Sequence, residues 1–406
     1  MADEVFLFAS TDTNAPVLTG QVGKLVDLLT ACLVDGYATV SVTSITRSGT
    51  TATVTTGSSH GLVTGQMATI AGAVESDYNG RYIVTVTSST VFTYTVANSP
   101  TTPATGTITS RRASAGWTLP YSGTQKAVYR SANGASQQHY FRVLDSGGTA
   151  GAAKEAAVRA YVSMSDVDTG SEPFPTVAQA TNGLFVAKSG TANSTARAWG
   201  VWANDKTVYI WIHNGTTWGF FGFGHFDSWK AGDAYNSFLS ASVTTNSVTG
   251  PSVSSGVGCG HGLGATSIAS AGRIYVPRAT NQTGTSLICH TYSTGNTSNS
   301  AGSTHGSGGS NSFSMAGSSA NADGGTYVVP IYIMELGAGS GLNFARGTLP
   351  GLYGPLHAYS SGLVGTTVNG VSGLSGRTLY GRGVDASSTV ASDLTGMVYI
   401  DITGPW

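Results

Sequence analysis

Short runs of alternating apolar and polar residues, broken by Gly, Ser, Asn and Asp, fill the stretch from Ala113 to Ser240. In the clearest run Val208, Ile210 and Ile212 share one parity, and Tyr209, Trp211 and His213 share the other. Successive side chains on a strand point to opposite faces, so this run predicts a strand with one aliphatic and one aromatic face. Six of the seven tryptophans lie in the same stretch: Trp117, Trp199, Trp202, Trp211, Trp218 and Trp229. Large rings remove much apolar surface from water, which marks this stretch as the main core. A surface platform of rings for sugar is the sharper use of the same residues. Ahead of Ala156–Met164 the alanines of Gly147–Val158 favour helix. The alternation in A-V-R-A-Y-V is clearer, and it predicts a loop followed by a strand.

Only residues 1–40 carry a helical period. Val22, Leu25, Val26, Leu28, Leu29, Cys32 and Leu33 recur at three- and four-residue spacing and paint one face. Thr19 is the expected cap and Asp35-Gly36 the expected stop. A helix this short is unstable alone and must dock, on its own sheet or on a neighbouring subunit. Residues 41–112 read as an inserted small β domain. A hairpin with a turn at Ser48-Gly49 opens it, and Asn79-Gly80 marks another turn. Residues 1–40 and 113–245 then form a β core with the helix, and residues 246–406 a C-terminal β region. Within 246–325 large side chains are scarce, and Gly, Ser and Thr dominate the run from Tyr292 to Gly325. So polar a composition predicts a long exposed loop, while R-I-Y-V-P-R and T-S-L-I-C-H-T-Y between the polar runs are strand-like. Further on, T-Y-V-V-P-I-Y-I-M-E-L predicts a strand with Pro330 at an edge or bulge. Arg346–His357 reads as a compact turn-rich segment. R-T-L-Y-G-R-G and M-V-Y-I-D-I-T are two more strands, and Trp406 is either tucked under or presented to a partner. The expected fold class is therefore mainly β: several sandwich- or barrel-like units, one N-terminal amphipathic helix and long Gly/Ser-rich loops.

Composition sharpens this. Charged residues make up 10% of the 406, against about a quarter in ordinary globular proteins. The net charge is −1, and no basic block exists beyond Arg111-Arg112. Phosphate binding needs clustered Lys and Arg, so nucleic acid is not an expected partner. Few charges also mean little self-repulsion, which favours association. Three scattered cysteines, Cys32, Cys259 and Cys289, fit neither a disulfide framework nor a zinc site. No run approaches the ~18 apolar residues of a membrane span, and Asp3 and Glu4 spoil a signal-peptide pattern.

Candidate chemistry is sparse. Asp166 and Asp168 in S-D-V-D-T-G are two apart, so on a strand both would face one side. Such a pair suits a glycosidase or a cation site, but no glutamate completes a calcium loop. Turn-bonding aspartates at a strand end are the plainer alternative. His60 beside Asp77 could suggest a site; a histidine bonded within its own turn is the simpler use. None of the eight histidines forms H-x-x-x-H, and C-x-H at Cys259 and His261 is no metal site by itself. Ser59 stands in G-S-S-H-G, which matches a nucleophile elbow in letters, but no helical pattern follows it. The expectation is no catalytic, cofactor-binding or metal site.

Several motifs resemble a family of virion structural proteins of tailed bacteriophages. They are W-T-L-P-Y-S-G-T-Q-K-A-V-Y-R (Trp117–Arg130), Y-V-S-M-S-D-V-D-T-G (Tyr161–Gly170) and K-A-G-D-A-Y (Lys230–Tyr235). The likeness extends to Ala15–Tyr37, to Arg346–His357 and to the final D-I-T-G-P-W. Residues 41–112 resemble a small β domain found inserted in many phage proteins and similar to a half-domain of ubiquitin-activating enzyme. The segment holds no cysteine, so conjugation chemistry is not implied. Deleting it would join D-G-Y-A-T to A-G-W-T, as simpler relatives run. The resemblance implies a non-enzymatic component of the virion, first of all of the tail or its tip. It would be assembled in the host bacterial cytoplasm as a homo-oligomer in contact with other virion proteins. The alternatives are a capsid decoration or receptor protein that binds a host surface glycan, and a glycan depolymerase using Asp166 and Asp168.

Overall fold

The strand Thr207–His213 lies between two antiparallel neighbours, Trp199–Ala203 and Trp218–His225. Its aliphatic side, Val208, Ile210 and Ile212, packs with Phe221, Phe223, Leu239, Phe141, Val158 and the helix leucines. Its aromatic side, Tyr209 and Trp211, packs with Trp202, Phe220, Phe238, Ile331, Ile333, Leu352 and Ile400. The strand is thus buried on both faces, and the two parities of its sequence become two separate cores. Trp117, Trp199, Trp202 and Trp211 are all buried, which favours core over platform for them; Trp229 alone of the six is exposed, at 61%.

The computed structural model describes residues 4–147, 153–215, 218–241, 273–292, 326–336, 343–355, 365–384 and 396–406. The Gly/Ser-rich runs expected to form long loops, and with them Cys259, His261, His305 and His357, lie outside the described residues. The chain is mainly β, in three antiparallel sheets. The largest runs in the order Phe6–Ala9, Trp199–Ala203, Thr207–His213, Trp218–His225, Ser237–Ser240, Arg273–Val276, Leu287–Tyr292. It continues through Val328–Leu336, Asn343–Pro355, Gly396–Asp401, Thr378–Val384 and Thr367–Asn369. Residues near the N-terminus and on both sides of position 246 therefore share one sheet. The second sheet has Gly170–Phe174, Glu155–Met164, Tyr140–Leu144, Lys126–Arg130 and Thr118–Gly123 in order, and Leu184–Ala187 also pairs with Glu155–Met164. One face of this second sheet closes over the aliphatic side of the first.

The third sheet is built wholly from residues 37–112, in the order Gly80–Ile83, Met67–Ala73, Gly106–Arg112, Tyr37–Ser48, Thr51–Thr56, Val91–Thr95, Thr85–Ser88. Its two outermost strands are consecutive in the chain, joined through Val84. The sheet must curl to bring them together, giving a nearly closed barrel-like form with its own core of Ile45, Val54, Ile70, Tyr78, Phe92 and Tyr94. At Asn79 the side chain takes over the ladder: Oδ1 accepts from Ala73 N–H at 2.9 Å and Nδ2 donates to Ala73 O at 2.7 Å.

The helix spans Lys24–Thr30 and runs on into a π turn, Ala31–Asp35. Leu25, Leu28, Leu29, Cys32 and Leu33 are buried against the chain's own sheets. Burying one leucine contributes roughly 1.5–3 kcal/mol, so four of them outweigh the poor stability of so short a helix. Thr19 is not the cap. Its hydroxyl accepts from Gln21 N–H at 3.3 Å, and the helix starts four residues later at Gly23, whose φ is 80°. Asp145 from the second sheet does the capping, with Oδ2 accepting from Leu25 N–H at 2.8 Å. Gly36 ends the turn at φ 76°, where a Cβ would stand 2.3 Å from Arg112 O.

Of the segment Arg346–His357, the described part to Pro355 differs from the expected compact turn. Asn343–Pro355 is a thirteen-residue strand. Pro350 and Gly351 sit where the register against Val328–Leu336 jumps, from Tyr332↔Thr348 to Pro330↔Tyr353. A bulge absorbs residues that read as turn formers and buries Leu349 and Leu352. Pro330 lies at the same jump, as expected. Trp406 is tucked: its Nε1 donates to Asp401 O at 2.8 Å, and its ring lies 5.5 Å from that of Tyr209 and against Gly351.

Candidate functional site

The strand Glu155–Met164 stops before Asp166 and Asp168, which lie in the exposed turn that follows. They do not share a strand face, because a turn removes the two-residue alternation. Asp166 Oδ1 accepts from the N–H groups of Asp168 and Thr169 at 2.7 and 2.8 Å, and these bonds hold its carboxyl below the usual range. Asp168 pairs with Lys126. His60 is buried and bonded on both sides: Leu62 N–H in its own turn donates to Nδ1, leaving Nε2 to donate across to Ser88 O, both at 3.0 Å. Ser59 stands exposed between strands, with a strand as the next element. Cys32 and Cys289 are buried free thiols pushed upward by burial. Among the described residues no group of three His, Cys, Asp or Glu could hold a metal ion.

The polar constellation that the fold does assemble lies around K-A-G-D-A-Y. Asp233 is fixed by its own turn, accepting from Ser228 Oγ at 2.7 Å and Tyr235 N–H at 2.9 Å. Arg346, brought in by the long bulged strand, reaches it with Nε at 3.2 Å and Nη2 at 3.0 Å. Its Nη1 donates to Glu335 at 2.7 Å and to Arg278 O. The guanidinium also lies over the Phe226 ring at 5.2 Å. All three nitrogens are engaged and Arg346, Asp233 and Glu335 are buried. Glu335 accepts further bonds from Thr280, while Arg278 lies over Tyr235 and pairs with Glu172. A buried charge costs several kcal/mol unless paired and hydrogen-bonded, and here both conditions are met.

Beside this cluster His139 Nδ1 meets Ser237 Oγ at 2.8 Å, and His225 Nε2 accepts from Asn236 Nδ2 at 2.8 Å. Burial is the first cause that pushes both imidazoles down, to about 4, so both are neutral at pH 7. A neutral imidazole on a serine is the geometry of an activated nucleophile. Here both side chains are buried between the sheets, with Phe174 edge-on to His139.

Lys188 and Asp145 are also buried, and Arg382 is half-buried. Lys188 pairs with Asp145 and donates to Gln21 O at 2.6 Å, locking the helix start to the second sheet. Burial pushes the Asp145 carboxyl up to about 6, against the pull of Lys188 and of the helix N–H groups. Arg382 lies 5.3–5.5 Å from the rings of Trp202, Trp211, Trp218 and Tyr380. Burial lowers its basicity. Sequence reasoning missed Arg346, Glu335, Lys188 and Arg382. Asp233 and Arg346 stand in quoted motifs, but nothing in the sequence couples two residues 113 apart.

No protein-family model matches the chain, and no curated protein does.

Proposed function

We propose that the chain is a structural component of a tailed-phage virion, in the tail or at its tip, that acts by assembling with copies of itself and with other virion proteins. The observation that carries the proposal is where the charges go. The chain has 19 basic and 20 acidic residues, and among the described residues nine are buried: Arg112, Asp145, Glu155, Arg159, Lys188, Asp233, Glu335, Arg346 and Asp401. A sequence already poor in charge thus spends part of it inside. The surface left over repels its copies weakly, which favours association. The motifs that resemble those of virion proteins fit a structural role, since they map onto strands, turns and internal ion pairs. K-A-G-D-A-Y supplies Asp233, and Arg346 opens the C-terminal motif.

Light scattering on the purified full chain tests the assembly. The expected mass is a whole multiple of 41.3 kDa above one. A monodisperse monomer at all concentrations contradicts it. Depolymerase activity makes a different demand: the pure protein would release sugar, and Asp166→Asn would abolish the release. Sugar release with that dependence would overturn the non-enzymatic role.

A further inference from the structure

The second sheet has an outer face that the core does not use. Ala127, Tyr129, Phe141, Val143, Val158 and Ala160 point inward. The opposite parity brings Lys126, Arg130, Arg142 and Arg159 together with Tyr121, Tyr140 and Tyr161. Register places Arg130 beside Tyr140 and Tyr140 beside Tyr161. In the next rank Tyr121 pairs with Val128, Val128 with Arg142, and Arg142 with Arg159. In sequence these cations are scattered over 34 positions and form no basic block; the sheet gathers them onto one face.

Arg142 and Arg159 are like charges directly opposite on neighbouring strands, an arrangement that is destabilising by itself. Among the described residues neither they nor Arg130 take part in an ion pair. Asp168 pairs with Lys126, and Glu155 is the other acid of this parity, two same-face positions from Arg159. Arg159 is 7% exposed; its Nη2 donates to the carbonyls of Ala180 and Thr181, and its buried Nε has no hydrogen-bond partner. Arg142 is half-buried, and its hydrogen bond is a long one, 3.5 Å to Asp168 O. Elsewhere in the fold Lys188 pairs with Asp145 and Arg346 with Asp233 and Glu335, while Arg112 and Arg382, like Arg142, rest against rings.

The rings here hold the guanidinium plates. Arg130 lies over Tyr140 at 4.9 Å, with Nε and Nη2 donating to Gln138 O and Oε1 at 2.8 and 3.1 Å, and Arg142 lies over Tyr161 at 5.3 Å, while Tyr121 stacks on Tyr140 at 6.2 Å and 22°. A stacked guanidinium is pre-organised and presents its N–H donors edgewise, which suits a carboxylate. Ring faces already covered by arginine or by each other are not free for nucleobases, which need open faces to stack. Hydroxyls flank the patch: Ser163 and Ser171 are exposed and bonded to each other at 2.8 Å. Guanidinium edges beside hydroxyls match a polymer that carries both carboxylates and hydroxyls.

We infer that the outer face of the second sheet binds an acidic polysaccharide, with Arg142 holding a carboxylate and Arg130, whose Nε and Nη2 are bonded to Gln138, adding charge and its Nη1. The site goes beyond the structural role proposed above, and the two fail separately: one by particle labelling, the other by sugar binding.

Calorimetric titration of the full chain with a short oligogalacturonate tests the site, with dextran, polyglutamate and oligothymidylate as comparisons. Binding to oligogalacturonate that weakens with salt, and none to dextran, is expected. Arg142→Gln should weaken it about tenfold, the worth of one charge-assisted hydrogen bond. Arg142→Lys keeps the charge but loses the planar fork, and should fall between the two. Arg142 makes one long hydrogen bond, so both variants should keep the tryptophan emission of the parent. No binding to oligogalacturonate, or equal binding by Arg142→Gln, overturns the inference. Binding of polyglutamate or oligothymidylate as tightly as the sugar also overturns it and assigns the face to an acidic protein or a single-stranded nucleic acid.

Discussion

Replacing Arg346 by Met keeps the length and removes the charge. Asp233 loses its three bonds to Nε and Nη2, and Glu335 loses its bond to Nη1. Two carboxylates are then buried near each other without a cation, and the carbonyls of Arg278 and Tyr235 lose a donor. Breaking a buried pair from one side costs about 3–5 kcal/mol, because the remaining charge stays desolvated. Two acids share the loss here, which puts Arg346→Met at the upper end. Arg346→Lys should recover little, since a point charge cannot serve two carboxylates and two carbonyls at once. The triple change Arg346→Met, Asp233→Asn and Glu335→Gln removes the charges together and should regain about half or more of the loss. Urea unfolding followed by tryptophan emission is the assay. All seven tryptophans lie outside residues 37–112, so emission reports the part of the fold that holds the cluster. A midpoint for Arg346→Met within about 0.5 kcal/mol of the parent, the range of an ordinary surface change, would refute the assigned role.

Other changes probe other parts. Arg382→Gln removes a cation from four rings; a loss of about 1–2 kcal/mol and a shift in tryptophan emission are expected, measured in the same urea series. Leu28→Ala should cost about 2–5 kcal/mol by thermal unfolding, since Leu28 is fully buried where the helix meets both sheets. Acid should destabilise the fold through His139 and His225. Their folded values near 4 lie below the unfolded 6.5, so the unfolded chain binds more protons between pH 4 and 6.5, and stability falls as pH drops through that window. Each imidazole contributes about 3 kcal/mol to the fall. Asp145 works the other way: its raised value makes the folded chain bind the extra proton, so its contribution is greatest near pH 4 and lost as pH rises towards 6. Two imidazoles outweigh one carboxyl, so the urea midpoint should be lower at pH 4.5 than at pH 7, and His139→Gln should flatten the profile.

Local pattern carried a good part of the fold. The two parities of Thr207–His213 separate two cores, and the leucines of residues 25–33 lie on the buried face of a helix. Those features depend on neighbours three or fewer turns away. Thr19 misled because Gly23, through its backbone angle, starts the helix, and Asp145 caps it from 120 residues away. Arg346–His357 misled because Gly and Pro serve a bulge as readily as a turn, and only pairing with Val328–Leu336 decides between them. Asp166 and Asp168 look like a strand pair in letters, yet the strand ends at Met164. The buried ion clusters and the arginine–tyrosine face were not legible for the same reason. Each joins residues far apart in the chain, and spacing in sequence says nothing of which strands the sheet makes adjacent.

Labelled-antibody electron microscopy of tailed-phage particles from a lysate in which this chain is made is the most direct check on the proposed role. Label at one fixed place on the tail or its tip, repeated from particle to particle, is the outcome expected of an assembled structural component. Particles that carry no label, while the chain remains a free monomer in the lysate, would contradict it.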